Sequence, residues 1–328
     1  MPQPPFSTVE QAVAALRRGA LVGMPTETVY GLAADARNEL AVRRIFAAKG
    51  RPSNHPVIVH FVDSDTAWRW AKNVPEHARR LAAAFWPGPL TLVLERALEV
   101  RDVITGGQNT VGLRVPAHPL AHALLAQFGD GVAAPSANRH GRLSPTSAED
   151  VAEELGAAVD EILDGGPCQV GIESTIIDLS GGEPTLLRPG GVPVEAIEAV
   201  LQRPVLRTPP PTARAPGLLR SHYAPKAGVV TVLATQLATE AKRLARGGQR
   251  IAVLSHETVP ALPGMTHFPM PSPVEQFAQR LYPTLRQVDR EGFDVALVAT
   301  PSAEGIGLAV LDRLARASAP RPDDAPKK

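Results

Sequence analysis

The chain has 328 residues, with 34 basic against 33 acidic side chains for a formal net charge of +1, and it is 44% hydrophobic and 20% charged. That balance excludes a globally disordered chain and a strongly cationic nucleic-acid coat protein, and Cys168 as sole cysteine excludes an intrachain disulfide or a cysteine-based zinc site. The length suits two domains at roughly 100–150 residues each.

In chain order, MPQPPFSTVEQ lacks the cationic start and apolar stretch of a signal peptide, and no apolar run approaches the ~20 residues that span a bilayer, so a cytoplasmic protein with no membrane partner is expected. Ser7 and Glu10 form a capping-box pattern that opens a helix carrying Val9, Val13 and Leu16 on one face, closed by Gly19. Residues 21–25 read as a strand and 40–49 as a helix. Further strands are expected at 57–61, 90–94, 111–115 and 132–136. Thr146 and Glu149 repeat the capping-box pattern, and STIIDL and TLLRP read as late strands. Interleaved strands and helices predict an α/β fold, with middle strands too close in sequence to be purely parallel.

Residues 204–227 are rich in proline, contain no acidic residue and carry Arg207, Arg214, Arg220 and Lys226, so they read as an extended linker. The expected organisation is 1–203 as a first domain, 204–227 as linker, 228–318 as a smaller doubly wound α/β domain, and 319–328 as a disordered tail. Within the second domain, strands are expected at VVTVL, IAVLS and VALVA, with helices from about Gln236, Val274 and Gly307.

No Walker A loop, G-x-S-x-G elbow or H-E-x-x-H motif is present, so a site has to be assembled from scattered residues. PTETVYG places Thr26, Glu27 and Thr28 at the end of the first strand, where α/β sheets bind ligands or where threonines close a turn. AKGRPSNHPVIVH carries Lys49, Arg51, His55 and His60, basic groups that suit an anion or that offset a helix dipole. Arg114 interrupts the apolar face pattern of TVGLRVP together with Thr110. On a solvated edge strand it needs nothing, whereas burial would require an anionic partner. Ser136, Asn138 and Ser144 in APSANRHGRLSPTSAED, Ser174 in GIESTIIDL and Arg188 before Pro-Gly-Gly complete the set. Cations and hydroxyls in this combination point to a pocket for a polyanionic nucleotide plus a small polar metabolite.

PTETVYG, the K-x-R of Lys49 and Arg51, the S-x-N of Ser136 and Asn138, TVGLRVPAHP, SPTSAED, GIESTIIDL and LLRPG, in this order, resemble the YrdC-domain family of L-threonylcarbamoyl-adenylate synthases. HYAP, residues 222–225, followed by a small α/β domain, resembles the long two-domain form. The resemblance implies a YrdC-like twisted mixed open sheet with helices, plus a Rossmann-like second domain. It also implies a nucleotidyltransferase that makes threonylcarbamoyl-AMP and pyrophosphate from L-threonine, bicarbonate or CO2, and ATP, for N6-threonylcarbamoylation of tRNA adenosine 37. It further implies Mg2+ carried with ATP and no protein metal site, downstream proteins that transfer the group to tRNA, and weak tRNA binding as an accompaniment.

By the same resemblance, Thr28, His60, Arg114, Ser174 and the backbone of Ala134 hold threonine. Lys49, Arg51, His55, Thr110, Ser136, Asn138, Ser144, Arg188 and Tyr223 line the ATP site, Lys49 and Arg51 as the catalytic pair. His222 and Tyr223 are expected to form a lid, and Cys168 is not expected to act as a nucleophile. A double-stranded RNA- or tRNA-binding regulatory module is the competing reading, although 4% aromatic residues supply few stacking platforms. A 3,4-dihydroxybutanone-phosphate synthase would need an acidic cluster that Glu27 alone does not provide.

Overall fold

The computed structural model describes residues 6–208, 214–217, 221–259 and 263–320. These form two units, 6–140 with 144–208 and 214–217, and 141–143 with 221–259 and 263–320. Arg220 of the linker and residues 321–328 of the tail lie outside the described residues.

The first unit is built on a nine-stranded mixed sheet. Its strands are β1 (Val22–Met24), β2 (Gly31–Asp35), β3 (Ile58–His60), β4 (Leu90–Glu95), β5 (Thr110–Arg114), β6 (Val132–Ala133), β7 (Glu161–Ile162), β8 (Thr175–Asp178) and β9 (Thr185–Arg188). They lie in the order β7-β1-β2-β6-β3-β5-β4-β8-β9. β3 and β5 are parallel, whereas β4 runs antiparallel to β5 and β6 antiparallel to β3. The close spacing of the middle strands therefore resolves as a mixed sheet. GLAAD in β2 and the two-residue β7 have no counterpart in the sequence reading, because both are too short or too rich in Ala and Gly to show a period.

The first helix is Val9–Arg17, and its capping box is Thr8 with Gln11, one residue later than expected. Ser7 instead donates its hydroxyl to Glu161 at 2.6 Å. The second box shifts likewise: Ser147 caps Ala148–Leu155, and the Thr146 hydroxyl bonds the Asp150 carboxylate. Each site offers two adjacent hydroxyls, and sequence alone does not choose between them. The core beneath Val9–Arg17 and Pro119–Phe128 joins Leu16, Val22, Met24, Leu124 and Val132.

The second unit is a four-stranded parallel sheet of β10 (Gly228–Val232), β11 (Ile251–Ser255), β12 (Met265–Pro269) and β13 (Val295–Ala299), ordered β10-β13-β11-β12. Helices Leu237–Ala245, Val274–Arg290 and Gly307–Ala317 accompany it. β12 escapes the sequence reading because MTHFP, with one fully buried residue, lacks the apolar run of its neighbours. No helix among the described residues is long and apolar enough to cross a membrane.

Candidate functional site

Residues paired across a ladder, and residues two apart along a strand, present their side chains to one face of the sheet. His60 pairs with Arg114 and Ile58 with Gly112; Val93 also faces Gly112, Thr91 faces Ile176, and Ile176 faces Arg188. One face therefore gathers His60, Thr110, Arg114, Thr91 and Arg188 around a floor of Ile58, Val93 and Ile176. β5 lies between β3 and β4, so the solvated-edge reading of Arg114 does not hold. The site is a sheet face, not only a row of strand ends.

Arg114 is 4% exposed and meets a requirement of its burial: its Nη2 donates to Glu27 Oε1 at 2.5 Å, and Glu27 is 5% exposed. Arg114 Nε donates to the Gly88 carbonyl at 3.2 Å. Glu27 comes from the PTETVYG turn. Thr26 closes that turn, donating its hydroxyl to the Val29 carbonyl at 2.6 Å and accepting from the Thr28 and Val29 N–H groups. Thr28, fully buried, lies 2.8 Å from the Thr26 hydroxyl. His60 is 2% exposed, and its Nδ1 has no protein partner among the described residues. Burial first, and then the neighbouring Arg114, push its pKa down to about 3, so the imidazole is neutral at pH 7.

Ser174 opens β8. Its hydroxyl lies 2.8 Å from the Thr91 hydroxyl and 3.2 Å from Arg188 Nη2, and its carbonyl accepts from Arg188 Nε and Nη2. The Arg-Pro-Gly-Gly turn packs so closely here that a Cβ on Gly190 would stand 2.3 Å from the Ser174 carbonyl carbon. Glycine is required at that position. Ser144, also buried, donates its hydroxyl to Glu173 Oε1 at 2.5 Å.

The helix Glu39–Lys49 ends in a left-handed cap at Gly50, which sends the chain sharply into Arg51. Lys49 is buried, not solvated at the helix end, and its Nζ donates to the Ser136 and Asn138 carbonyls, each at 2.5 Å. Burial, with Arg51 second, holds its pKa well below the usual lysine range. The K-x-R and S-x-N segments are thus tied by one ammonium group. The Arg51 guanidinium donates to the Pro56 carbonyl at 2.6 Å. His55 lies edge-on to His140 with centroids 5.8 Å apart; burial, then Arg51, lowers both, His140 to about 4. Ser136 bridges Gly31 across the β2 start, and the Ala134 N–H donates to the Ile58 carbonyl.

Part of the linker lies on the same face. Ala215, like Val93, packs on the cluster of Ile58, Ile176 and Leu187, while the Arg214 carbonyl accepts from Gln108 and the Pro216 carbonyl from Arg188 Nη1 at 3.1 Å. Arg214 Nη1 reaches the Asn54 carbonyl. His222 and Tyr223 belong to the second unit. There the His222 N–H donates to the Arg316 carbonyl, and Tyr223, at φ +58°, sits under the Arg313 guanidinium at 4.9 Å and stacks with Tyr282. Burial, followed by Glu27, pushes the Cys168 thiol up, away from nucleophile chemistry.

Sequence reasoning did not single out Glu27 as the partner of Arg114, nor Thr91, His140 or Glu173. Signals existed for some: Arg114 needed an anion if buried, Thr91 is the lone hydroxyl in LTLVL, and Glu173 directly precedes Ser174.

Comparison with known proteins gives these features a family. Residues 14–190 match the Sua5, YciO and YrdC family described as telomere recombination, and 192–319 match the threonylcarbamoyl-AMP synthase C-terminal domain. The chain is 43% identical to the threonylcarbamoyl-AMP synthase of Pyrococcus abyssi, covering 92% of each protein. It is 39% identical to that of Bacillus subtilis, covering 95% of this chain and 93% of the relative. The crystal structure of P. abyssi Sua5 complexed with L-threonine superposes with a TM-score of 0.90 at 42% identity, over 94% of each chain. Both domains match over nearly the whole length: the chain belongs to the two-domain threonylcarbamoyl-AMP synthase family.

Proposed function

We infer that this chain condenses L-threonine, bicarbonate or CO2, and ATP into L-threonylcarbamoyl-AMP, with release of pyrophosphate. The observation that carries the reading is near full-length similarity to enzymes named for that product, joined to a buried sheet face bearing two arginines and a neutral histidine. In this chemistry the threonine ammonium loses a proton to solvent, its nitrogen attacks the carbon of CO2, and a second proton leaves that nitrogen as the N-carboxylate forms. An oxygen of the resulting N-carboxylate then attacks the α-phosphorus, and the bond to the β-phosphate breaks. No covalent enzyme intermediate is required. The protein's contribution is placement and fixed positive charge.

The proposed roles divide the site residues between the two substrates. Thr28, His60, Arg114, Ser174 and the Ala134 backbone hold threonine, with Arg114 on its carboxylate. Lys49, Arg51, His55, Thr110, Ser136, Asn138, Ser144 and Arg188 line the ATP site. Lys49 acts there partly by clamping the Ser136–Asn138 backbone, which supports its pairing with Arg51 as the catalytic unit. Mg2+ carried with the triphosphate would supply positive charge against the leaving pyrophosphate. The buried Ser144 hydroxyl and Glu173 carboxylate are oxygen donors of the type it accepts. The linker, through Arg214–Pro216, shields the acyl-adenylate from water. Adenosine 37 of tRNA receives the product through separate transfer proteins in the cytoplasm, with only weak direct tRNA contact by this chain.

Pyrophosphate release from ATP and bicarbonate, measured with L-threonine and with serine or alanine in its place, tests the reading. Release that requires threonine is expected. Release indifferent to the amino acid would overturn it.

A further inference from the structure

A guanidinium offers five N–H groups in a planar fork with two edges, each able to meet a carboxylate with two parallel bonds. In Arg114 the edge formed by Nε and Nη2 is already engaged, Nε by the Gly88 carbonyl and Nη2 by Glu27 Oε1. Nη1, on the other edge, takes no partner among the described residues. Glu27 is itself fixed at two further points: its Oε2 accepts from the Ala117 N–H at 3.1 Å, and its carbonyl accepts from the Val170 N–H at 2.7 Å. A three-point hold on one carboxylate-bearing residue therefore sets the plane of a buried guanidinium within the sheet.

We propose that Glu27 is a positioning residue for the amino-acid substrate: acting through Arg114, it turns the Nη1–Nη2 edge of the guanidinium toward the threonine carboxylate. The arrangement has a chemical logic. A buried arginine without an internal anion would draw any small anion into the site, whereas one balanced by Glu27 holds a fixed orientation with a reduced net field. The reduced field costs some carboxylate attraction, but the fixed orientation gains more, because a bidentate contact and the carboxylation and adenylation steps depend on geometry. This inference rests on Arg114 receiving the threonine carboxylate.

The experiment compares Glu27→Gln, Arg114→Ala and the double variant in threonine-dependent pyrophosphate release, with thermal melts to establish folding. In Glu27→Gln the amide cannot accept from both Arg114 and Ala117, because its nitrogen is a donor. The KM for threonine should rise at least about tenfold, with the KM for ATP within about twofold and kcat at saturating threonine within about threefold. In the double variant, Glu27→Gln should add nothing to the threonine KM of Arg114→Ala, as expected when one residue acts through the other. Should Glu27→Gln not fold, Glu27→Asp keeps the charge but shortens the reach by one methylene, and the same rise in threonine KM is expected.

An unchanged or lowered threonine KM in Glu27→Gln, or additive effects in the double variant, would overturn the proposal. If Arg114→Ala raises the threonine KM while Glu27→Gln does not, only the positioning role fails. If neither changes it, the assignment of Arg114 to the threonine carboxylate fails as well.

Discussion

The two sheets of this protein are built on opposite principles. In the second unit, β11 and β13 are buried almost entirely as apolar side chains: Ile251, Ala252, Val253 and Leu254 in one, Val295 through Ala299 in the other. In the first unit, one face of the sheet buries His60, Thr91, Arg114 and Arg188 alongside its aliphatic residues. Burying a polar group costs free energy unless it is bonded, and burying a charge costs more. A sheet that carries this many polar groups on one face, and bonds nearly all of them, is shaped by chemistry as well as by stability. The second sheet has no such demand on it and follows the ordinary apolar pattern of a parallel sheet covered by helices.

That contrast can be broken in order of expected effect. Arg114→Ala leaves Glu27 buried without its cation and should cost about 3–5 kcal/mol of stability. It should also raise the threonine KM on the order of a hundredfold, with the ATP KM changed only a few-fold. Chemical denaturation and steady-state kinetics read the two effects separately. Leu297→Ala, in the apolar sheet, should cost about 2–5 kcal/mol and leave the KM for either substrate within about twofold. A large kinetic effect from Leu297→Ala would show that the two sheets are not divided as drawn here.

The pH dependence sharpens the same contrast. His60 titrates at about 3 in the folded chain, against an ordinary histidine value near 6.5 when unfolded. Between those values the unfolded chain binds the extra proton, so stability falls as the pH drops below about 6.5 and this loss is complete near pH 3. At pH 5 the His60 share should be about 2 kcal/mol. Melting temperatures of the parent and His60→Asn from pH 7 to pH 5 should therefore converge. A constant offset between them would refute it. The smallest expected effect is that of Thr91→Val, which removes the hydroxyl facing Ser174 and should cost about 1 kcal/mol. A modest rise in threonine KM should accompany it.

Much of this architecture is legible along the chain, and the legible part is local. Short apolar runs mark LTLVL, IAVLS and VALVA as strands, and helical spacing marks 40–49 as a helix, because these signals lie within a few residues of backbone. The short motifs from PTETVYG to LLRPG identify the family, since their joint order is specific even where each alone is not. Local reading also reaches its limits at short range. The choice of Thr8 over Ser7 as helix cap depends on where Glu161 lies, and Ser7 meets that residue across 154 positions of chain.

What the sequence by itself determined, then, was the alternation of elements, the cations and hydroxyls available to a site, and the family to which they point. What only the tertiary structure decided was which of them meet. Arg114 and Glu27 are 87 positions apart, and Lys49 reaches carbonyls 87 and 89 positions away. No periodicity spans such distances. Strand order and ladder register place His60, Thr91, Thr110, Arg114 and Arg188 on one face, while the turn bearing Glu27 and the helix end bearing Lys49 bring those side chains to buried partners, where low dielectric makes each one matter.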